Sequence, residues 1–468
     1  MALGVSLTGA ALLAVLLVLV LAWPRRYRGE KRSVQVLVLG DIGRSPRMQY
    51  HALSIAQHAP VQLIGYYESD LVDELARHPR LTRVPLTASP AALRQLPFVL
   101  GGPLKVVWQV LNLLLVLAYS TQPARWLVVQ NPPSIPTLAV AALVGRLRNT
   151  RLLIDWHNYG WTILAGSRAG GGSSAERHPF VRLARRYEEL CGRLGDANLT
   201  VTRAMASQLR APPYAVPSPI AVLHDRPAAL FQPLPLLPIS PIDRGRELAR
   251  ILGDDDLVDH NSAKVLVSST SWTPDEDFQL LLDALVRYVS TTSTDARSPI
   301  LAIITGKGPQ KAFYQGKIAA LVAAGQLPPD QISICTAFLP MSDYARLLAL
   351  ADLGVCLHMS SSGVDLPMKV VDMFGAGLPV VAYSAYESFG ELVREGENGR
   401  GFTTSDGLAD LLARLLDPRN GSSGSAELGQ LRMGARQESK LRWTEEWERV
   451  VAPVLELTAE GDVPKKTK

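Results

Sequence analysis

The sequence predicts an α/β protein: two Rossmann-like halves, each built on a parallel sheet, behind an N-terminal transmembrane helix. Three observations carry that reading. Short apolar runs alternate with helical patterns along the chain, as in strand-helix-strand units whose sheet is covered on both faces. Prolines crowd residues 211–241, from Pro212 and Pro213 to Pro241, and divide the chain near its middle. The first 23 residues carry no charged side chain, and Gly4 to Trp23 supply the ~20 apolar residues that cross a bilayer. At 468 residues and 47% hydrophobic content the chain is long and apolar enough for two cores.

In chain order, residues 1–24 read as an uncleaved anchor. A cleaved signal peptide competes, but the apolar core is longer than ~15 residues and no basic segment precedes it. Arg25, Arg26, Arg28, Lys31 and Arg32 follow, with only Glu30 against them, which puts the rest of the protein in the cytosol. Residues 33–210 form the first half. Its strand Val34 to Leu39 ends in Gly40-Asp41-Ile42-Gly43 before a helix starting near Pro46. Open α/β sheets bind ligands at that edge, so Arg44 and Arg47 are candidates to hold a diphosphate. Val61 to Tyr67, the run around Val84, Trp126 to Val129, Leu152 to Ile154 and Ala197 to Val201 read as further strands. Phe98 to Tyr119 is apolar but interrupted by Lys105, Gln109 and Asn112. It reads as a helix either in the bilayer interface or buried under the domain. Asp155-Trp156-His157-Asn158-Tyr159-Gly160 ends a strand at the same edge as Asp41, and Trp156, Tyr159 and Trp161 are candidates to stack on sugar rings. Gly170 to Ser174 reads as a mobile loop, and Arg182, Arg185, Arg186 and Arg193 as a solvated helix face open to anionic headgroups.

Residues 211–260 read as a proline-rich linker, and the acidic run Asp254 to Asp256 as a solvated turn. Residues 261–427 form the second half. A strand Val265 to Ser268 leads into the polar loop Ser269 to Thr273 and a helix opening at Pro274-Asp275-Glu276, an anion-binding turn. The strand Leu301 to Thr305 ends in Gly306-Lys307-Gly308-Pro309, where glycines let a phosphate approach the backbone. The stretch Ala351 to Tyr383 combines a strand, the small-residue loop His358 to Gly363, a helix of about Met368 to Phe374 with Lys369 in its first turn, and a strand from Leu378. Its helix N-terminus and Lys369 favour an anionic ligand. A helix over 428–458 carries Trp443 and Trp447 at i, i+4, aromatics that pack. The cysteines Cys191, Cys335 and Cys356 show no metal-ligand spacing and read as buried thiols.

The central stretch resembles the nucleotide-sugar half of GT-B glycosyltransferases, in which an acidic-x7-acidic motif precedes a small-small-Gly-x-Pro-Val strand. Asp372 takes the second acidic position; the first falls at Val364, with Asp365 one residue late. The wording SSSGVDLPMKVVDMFGAGLPV, with Gly40 to Arg47, Asp155 to Gly160 and Ser269 to Pro274, is similar to the chitobiosyldiphosphodolichol beta-mannosyltransferases. The resemblance implies a GT-B fold, two Rossmann-like domains facing across a cleft, with the last helix crossing back to the first. It implies an inverting transfer of mannose from GDP-mannose to GlcNAc2-PP-dolichol at the endoplasmic reticulum membrane. Asp41 is then the first candidate for the base, with His157 and Asp155 next, and Gly40, Gly43, Arg44, Arg47, Trp156, Asn158 and Tyr159 meet the acceptor. Ser269, Thr270, Ser271, Gly306, Lys307, Phe338, Leu339, Ser361, Ser362, Gly363, Asp365, Leu366, Lys369, Asp372 and Glu391 meet the donor. No tightly bound cofactor and no metal residue is implied, and a divalent cation is left open. Later mannosyltransferases of the pathway and a second copy of the chain are further candidate partners; nothing points to nucleic acid. A retaining GT-B transferase or sugar-nucleotide epimerase competes, and the anchor with its acceptor loop, unnecessary for an epimerase on a soluble nucleotide, discriminates. A non-catalytic membrane scaffold also competes, and the glycines with Lys307, Lys369 and Asp372 argue against it.

Overall fold

The computed structural model describes residues 23–29, 32–166, 175–235, 239–254, 263–273, 276–291, 297–416 and 425–457. The anchor up to residue 22, the loop Gly170 to Ser174 and most of the acidic run after Asp254 lie outside them.

Among the described residues thirteen strands form two sheets, and every ladder between them is parallel. The first sheet holds β1 (Val34–Asp41), β2 (Val61–Tyr66), β3 (Leu81–Pro85), β4 (Trp126–Asn131), β5 (Arg151–Trp156), β6 (Ala197–Thr200) and β7 (Ile220–Val222), in the order β3-β2-β1-β4-β5-β6-β7. The second holds β8 (Lys264–Ser269), β9 (Ile300–Thr305), β10 (Ile332–Ala337), β11 (Leu353–Cys356), β12 (Val380–Tyr383) and β13 (Gly399–Phe402), in the order β10-β9-β8-β11-β12-β13. Helices on both faces bury the central strands; β8 and β9 are buried at every position. The order reverses beside β1 and beside β8, and at such switch points the carboxyl ends of the strands open into a crevice.

The proline-rich stretch is more than a linker. Ile220–Val222 forms the edge strand β7, and Pro241–Leu252 forms a helix with Pro241 in its first turn, where a missing N–H costs nothing. The last helix is two, Ala426–Glu438 and Trp443–Val454. The second returns to the first half, its Trp443 Nε1 donating to Ser54 Oγ and its Trp447 Nε1 to His51 Nδ1, each at 3.0 Å. The Phe98–Leu115 helix lies against the first half with Leu113 buried, and Trp108 and Asn112 both donate to the Thr87 carbonyl.

Candidate active site

The carboxyl ends of β1, β4 and β5 form one wall of a cavity of about 900 Å³, and the helix Met368–Gly375 with the loop before it forms the other. His157, Asp225 and Arg44 line the first wall; Asp365, Leu366 and Asp372 line the second.

Asp155 is fully buried and fixes the first wall. Arg47 meets it through Nε to Oδ2 and Nη2 to Oδ1, each 2.9 Å, and sends Nη1 to Asp225 Oδ1 at 2.7 Å. Burial pushes the Asp155 carboxyl up, but Arg47 and His157 beside it outweigh that and hold it well below the usual carboxylate range. His51 Nδ1 accepts the Trp447 indole proton, so its own hydrogen sits on Nε2, 3.2 Å from Asp155 Oδ2. Burial pulls His51 below its ordinary pKa, which favours the neutral imidazole, and its buried Nε2 lies near Asp155 without hydrogen-bond geometry. His157 Nε2 lies 2.8 Å from the same oxygen. An ionised carboxylate only accepts, so Nε2 of His157 carries a hydrogen, and in the neutral imidazole Nδ1 then holds the lone pair.

This arrangement corrects several expectations. Arg47 does not reach for a diphosphate, because its guanidinium is buried and committed to Asp155, Asp225 and the Leu223 carbonyl. Arg44, whose side chain is 80% exposed at the cavity, is the arginine an anion can meet. Asp155 is too enclosed to meet an acceptor hydroxyl and orients His157 instead. Trp156 is buried, donates to Asn198 Oδ1 and packs edge-on against Tyr159 and Tyr214, and Tyr159 is also buried; neither offers a face to a sugar. Trp161 is half-buried under the Arg185 guanidinium.

Asp41 ends β1 beside Gly40 and is absent from the cavity lining. Its carboxylate accepts from the N–H groups of Gly43, Glu68 and Ser69 and from the Ser69 hydroxyl. Burial pushes it up, and those hydrogen bonds outweigh that and lower it. The geometry is that of a loop pin.

In the second half the Ser269 to Thr273 loop is tied down by its own chain, with the buried Trp272 Nε1 left without a hydrogen-bond partner among the described residues. Glu276 accepts from Thr270 Oγ1 and from Ser271 N–H, each at 2.6 Å, and pairs with Lys369, whose Nζ also lies 3.4 Å from Ser271 Oγ. The supposed anion-binding turn thus holds an internal carboxylate, and Ser269 Oγ is engaged with Tyr344 OH at 2.8 Å. Gly306, at φ +134, and Gly308 are required by backbone packing, since a Cβ at either would lie 1.7 Å from the carbonyl of Thr270 or Ser271. That close approach is chain on chain. Lys307 Nζ sits 3.6 Å from the ring centre of the exposed Phe338, with half-buried Leu339 next to it.

The 358–366 loop crosses to the first half. Asn158 Nδ2 donates to Asp365 Oδ2 at 3.1 Å and to Ser361 Oγ at 3.3 Å, and Thr202 Oγ1 donates to the Val364 carbonyl. Asp365 also meets His358 Nε2 and Ser360 Oγ; Ser362 Oγ accepts from Val364 N–H, and Gly363 turns the loop at φ +77. Glu391 is another bridge rather than an open donor ligand: it accepts from the N–H groups of Arg203 and Ala204 at a helix start and lies 3.0 Å from His224 Nε2. Asp372 lines the cavity; burial and then Asp225 push its carboxyl up to about 7. Among the described residues no group of three or more His, Cys, Asp or Glu is arranged to hold a metal.

Two parallel sheets facing across a cleft, with the last helix bracing the first, define the class: a glycosyltransferase of GT-B fold. A family model described as Glycosyl transferases group 1 matches residues 263–418. Anabaena HepE in complex with UDP and glucose superimposes with a TM-score of 0.60 at 15% identity, over 92% of this chain and all of that one. Sucrose-phosphate synthase of Thermosynechococcus elongatus gives 0.60 at 13%, over 92% and 98%. Those likenesses are of fold alone. The chitobiosyldiphosphodolichol beta-mannosyltransferase of Arthroderma benhamiae is 44% identical over 440 residues, 91% of each chain. The Mus musculus enzyme of that name is 40% identical over 96% of this chain and 95% of its own, and the Homo sapiens one 40% over 94% and 96%. The chain belongs to the chitobiosyldiphosphodolichol beta-mannosyltransferase family and is a glycosyltransferase.

Sequence reasoning missed Asp225, His51 and Glu276. Asp225 sits among prolines and His51 inside a helix, where neither spacing nor pattern marks a site. Glu276 had a signal, an acid next to a polar loop, but read as part of a helix start.

Proposed function

We propose that the chain transfers mannose from GDP-mannose to the second GlcNAc of chitobiosyl diphosphodolichol with inversion, forming a β-1,4 link. The acceptor hydroxyl oxygen attacks the anomeric carbon as the bond from that carbon to the diphosphate oxygen breaks. The hydroxyl proton passes to Nδ1 of His157, and Asp155 stabilises the imidazolium so formed. Lys369, Lys307 and Arg44 are the charges suited to the departing GDP. Asp372, near neutrality in its pKa, is suited to a hydrogen bond with a donor hydroxyl. The reaction takes place on the cytosolic face of the endoplasmic reticulum membrane, with residues 1–24 as a single-pass anchor.

The observation that supports this most is the buried Asp155 holding His157 2.8 Å away at a cavity whose far wall belongs to the half matched by the glycosyl transferase family model. Competition tests it: unlabelled GDP-mannose should suppress transfer from labelled GDP-mannose to a chitobiosyl-diphospho-lipid, and UDP-glucose or UDP-GlcNAc should not. Suppression by the UDP-sugars alone would overturn the donor assignment.

A further inference from the structure

The first half carries an exposed apolar face that the reaction does not use. On the Phe98–Leu115 helix, Leu100, Leu104, Val107, Leu111 and Leu115 recur at helical spacing and are each 45% exposed or more. The opposite side of that helix is fastened to the domain through buried Leu113 and the bonds to Thr87. The Thr137–Arg148 helix packs against it and exposes Leu143. The Pro179–Cys191 helix, packed on Thr137–Arg148 in turn, exposes Phe180, Leu183 and Leu190, again on one stripe. A patch of this extent on three adjoining helices marks an interaction surface.

The exposed charges on these three helices are basic, with Glu176 an exposed acid just before the third. Lys105, Arg146, Arg182 and Arg186 are exposed, whereas the acids of these helices, Glu188 and Glu189, are buried. The described residues just after the apolar segment are fastened at the same place. Tyr27 N–H donates to the Arg148 carbonyl at 2.7 Å, and Arg148 Nε donates to the Arg25 carbonyl at 3.0 Å. Arg148 also donates through Nη2 to the Thr121 carbonyl at 2.8 Å, so one buried side chain ties the anchor exit to the end of the apolar helix.

We infer that this three-helix face is a second membrane contact, seating on the surface of a bilayer that contains anionic phospholipid. Leucines and phenylalanine enter the acyl boundary, and the arginines and lysine meet the headgroups. The acceptor loop at Asp155 to Gly160 runs directly into the Gly160–Gly166 helix, which packs on Pro179–Cys191. A seated face therefore holds the acceptor side of the cleft next to the lipid surface. The inference concerns contact and not turnover, so it stands or falls apart from the mannosyl assignment.

The test is photocrosslinking of the full chain reconstituted in vesicles of phosphatidylcholine and phosphatidylserine that carry a photoactivatable phospholipid, with adducts mapped by mass spectrometry. Adducts are expected on peptides from 98–115 and 179–191 as well as on the anchor, with lower yield when phosphatidylserine is omitted. Leu104→Gln with Leu111→Gln should abolish adducts on the first peptide and leave transfer to a detergent-soluble short-chain acceptor unchanged. Adducts confined to residues 1–23, or crosslinks between two protein copies through these helices in their place, would overturn the inference. Equal yield in phosphatidylcholine alone would overturn the role of the basic residues.

Discussion

Nε2 of His157 lies 2.8 Å from Oδ2 of Asp155, an oxygen that Arg47 Nε also reaches at 2.9 Å. Asp155 is therefore placed to orient His157, which in the proposed reaction takes the acceptor proton at the cavity.

His157→Ala should lower the transfer rate by about 10²- to 10⁴-fold. GDP affinity, read by calorimetry, should hardly change. Asp41→Asn should act on the loop instead, with a stability loss of about 0.5–1.5 kcal/mol for a disturbed set of partly exposed hydrogen bonds. Full activity in His157→Ala with an inactive, well-folded Asp41→Asn would return the role of base to Asp41.

Arg47→Ala leaves Asp155 and Asp225 facing each other without their shared cation. Breaking a buried pair costs about 3–5 kcal/mol, so chemical denaturation should show a loss of that order. Arg47→Lys should recover only part of it, because an ammonium cannot make the two parallel bonds. Wild-type stability in Arg47→Ala would mean that the cluster contributes little to the fold.

Lys369→Ala should cost about 2–4 kcal/mol of transition-state stabilisation, the scale of losing one electrostatic donor. It also strands the buried Glu276. Adding Glu276→Gln separates the two effects: the double variant should regain melting temperature but not turnover. Turnover restored in the double variant would confine Lys369 to a structural role.

Much of this was legible in the sequence. Unbroken apolar runs such as Val34 to Leu39 and Leu301 to Thr305 can be little else than covered parallel strands, and the loops at their carboxyl ends are where the cavity opens. Strand β7 was hidden, because its flanking prolines mark an edge as readily as a linker. Side-chain roles were harder to read. Arg47 and Arg44 look alike in sequence, and what separates them is Asp155, 108 residues away, and Asp225, 178 away. Likewise Glu276 and Lys369 each looked like half of an anion site until the structure placed one on the other.

The Asp372 carboxyl, pushed up to about 7 from an ordinary value of 3.8, gives a signed pH dependence. Between those values the folded chain binds more protons than the unfolded one, so stability falls as pH rises from about 4 to 7. Asp372→Asn should remove that part of the slope in a series of melting curves. The lowered carboxyls Asp155 and Glu446 act below that window, where their stabilisation is lost as pH falls. An identical slope in Asp372→Asn would show that the group titrates normally.

Topology is tested by protease on sealed microsomes, which should digest the chain beyond residue 32, with both sequons, Asn198-Leu199-Thr200 and Asn420-Gly421-Ser422, unmodified. Asn198 is buried in β6, accepting from Trp156 and donating to Ser218 Oγ, so it stays bare on either side of a membrane. Asn420 lies outside the described residues and, with the protease, decides the matter. Protection of the chain together with a glycosidase-sensitive mass shift at Asn420 would place the cleft in the lumen.

The central claim is tested most directly by incubating the solubilised protein with labelled GDP-mannose and chitobiosyl-diphospho-lipid, then releasing and digesting the product glycan. The account predicts one added mannose, released by a β-mannosidase and resistant to an α-mannosidase. Label that only an α-mannosidase removes would contradict inversion at His157, and no labelled lipid at all would contradict the transfer itself.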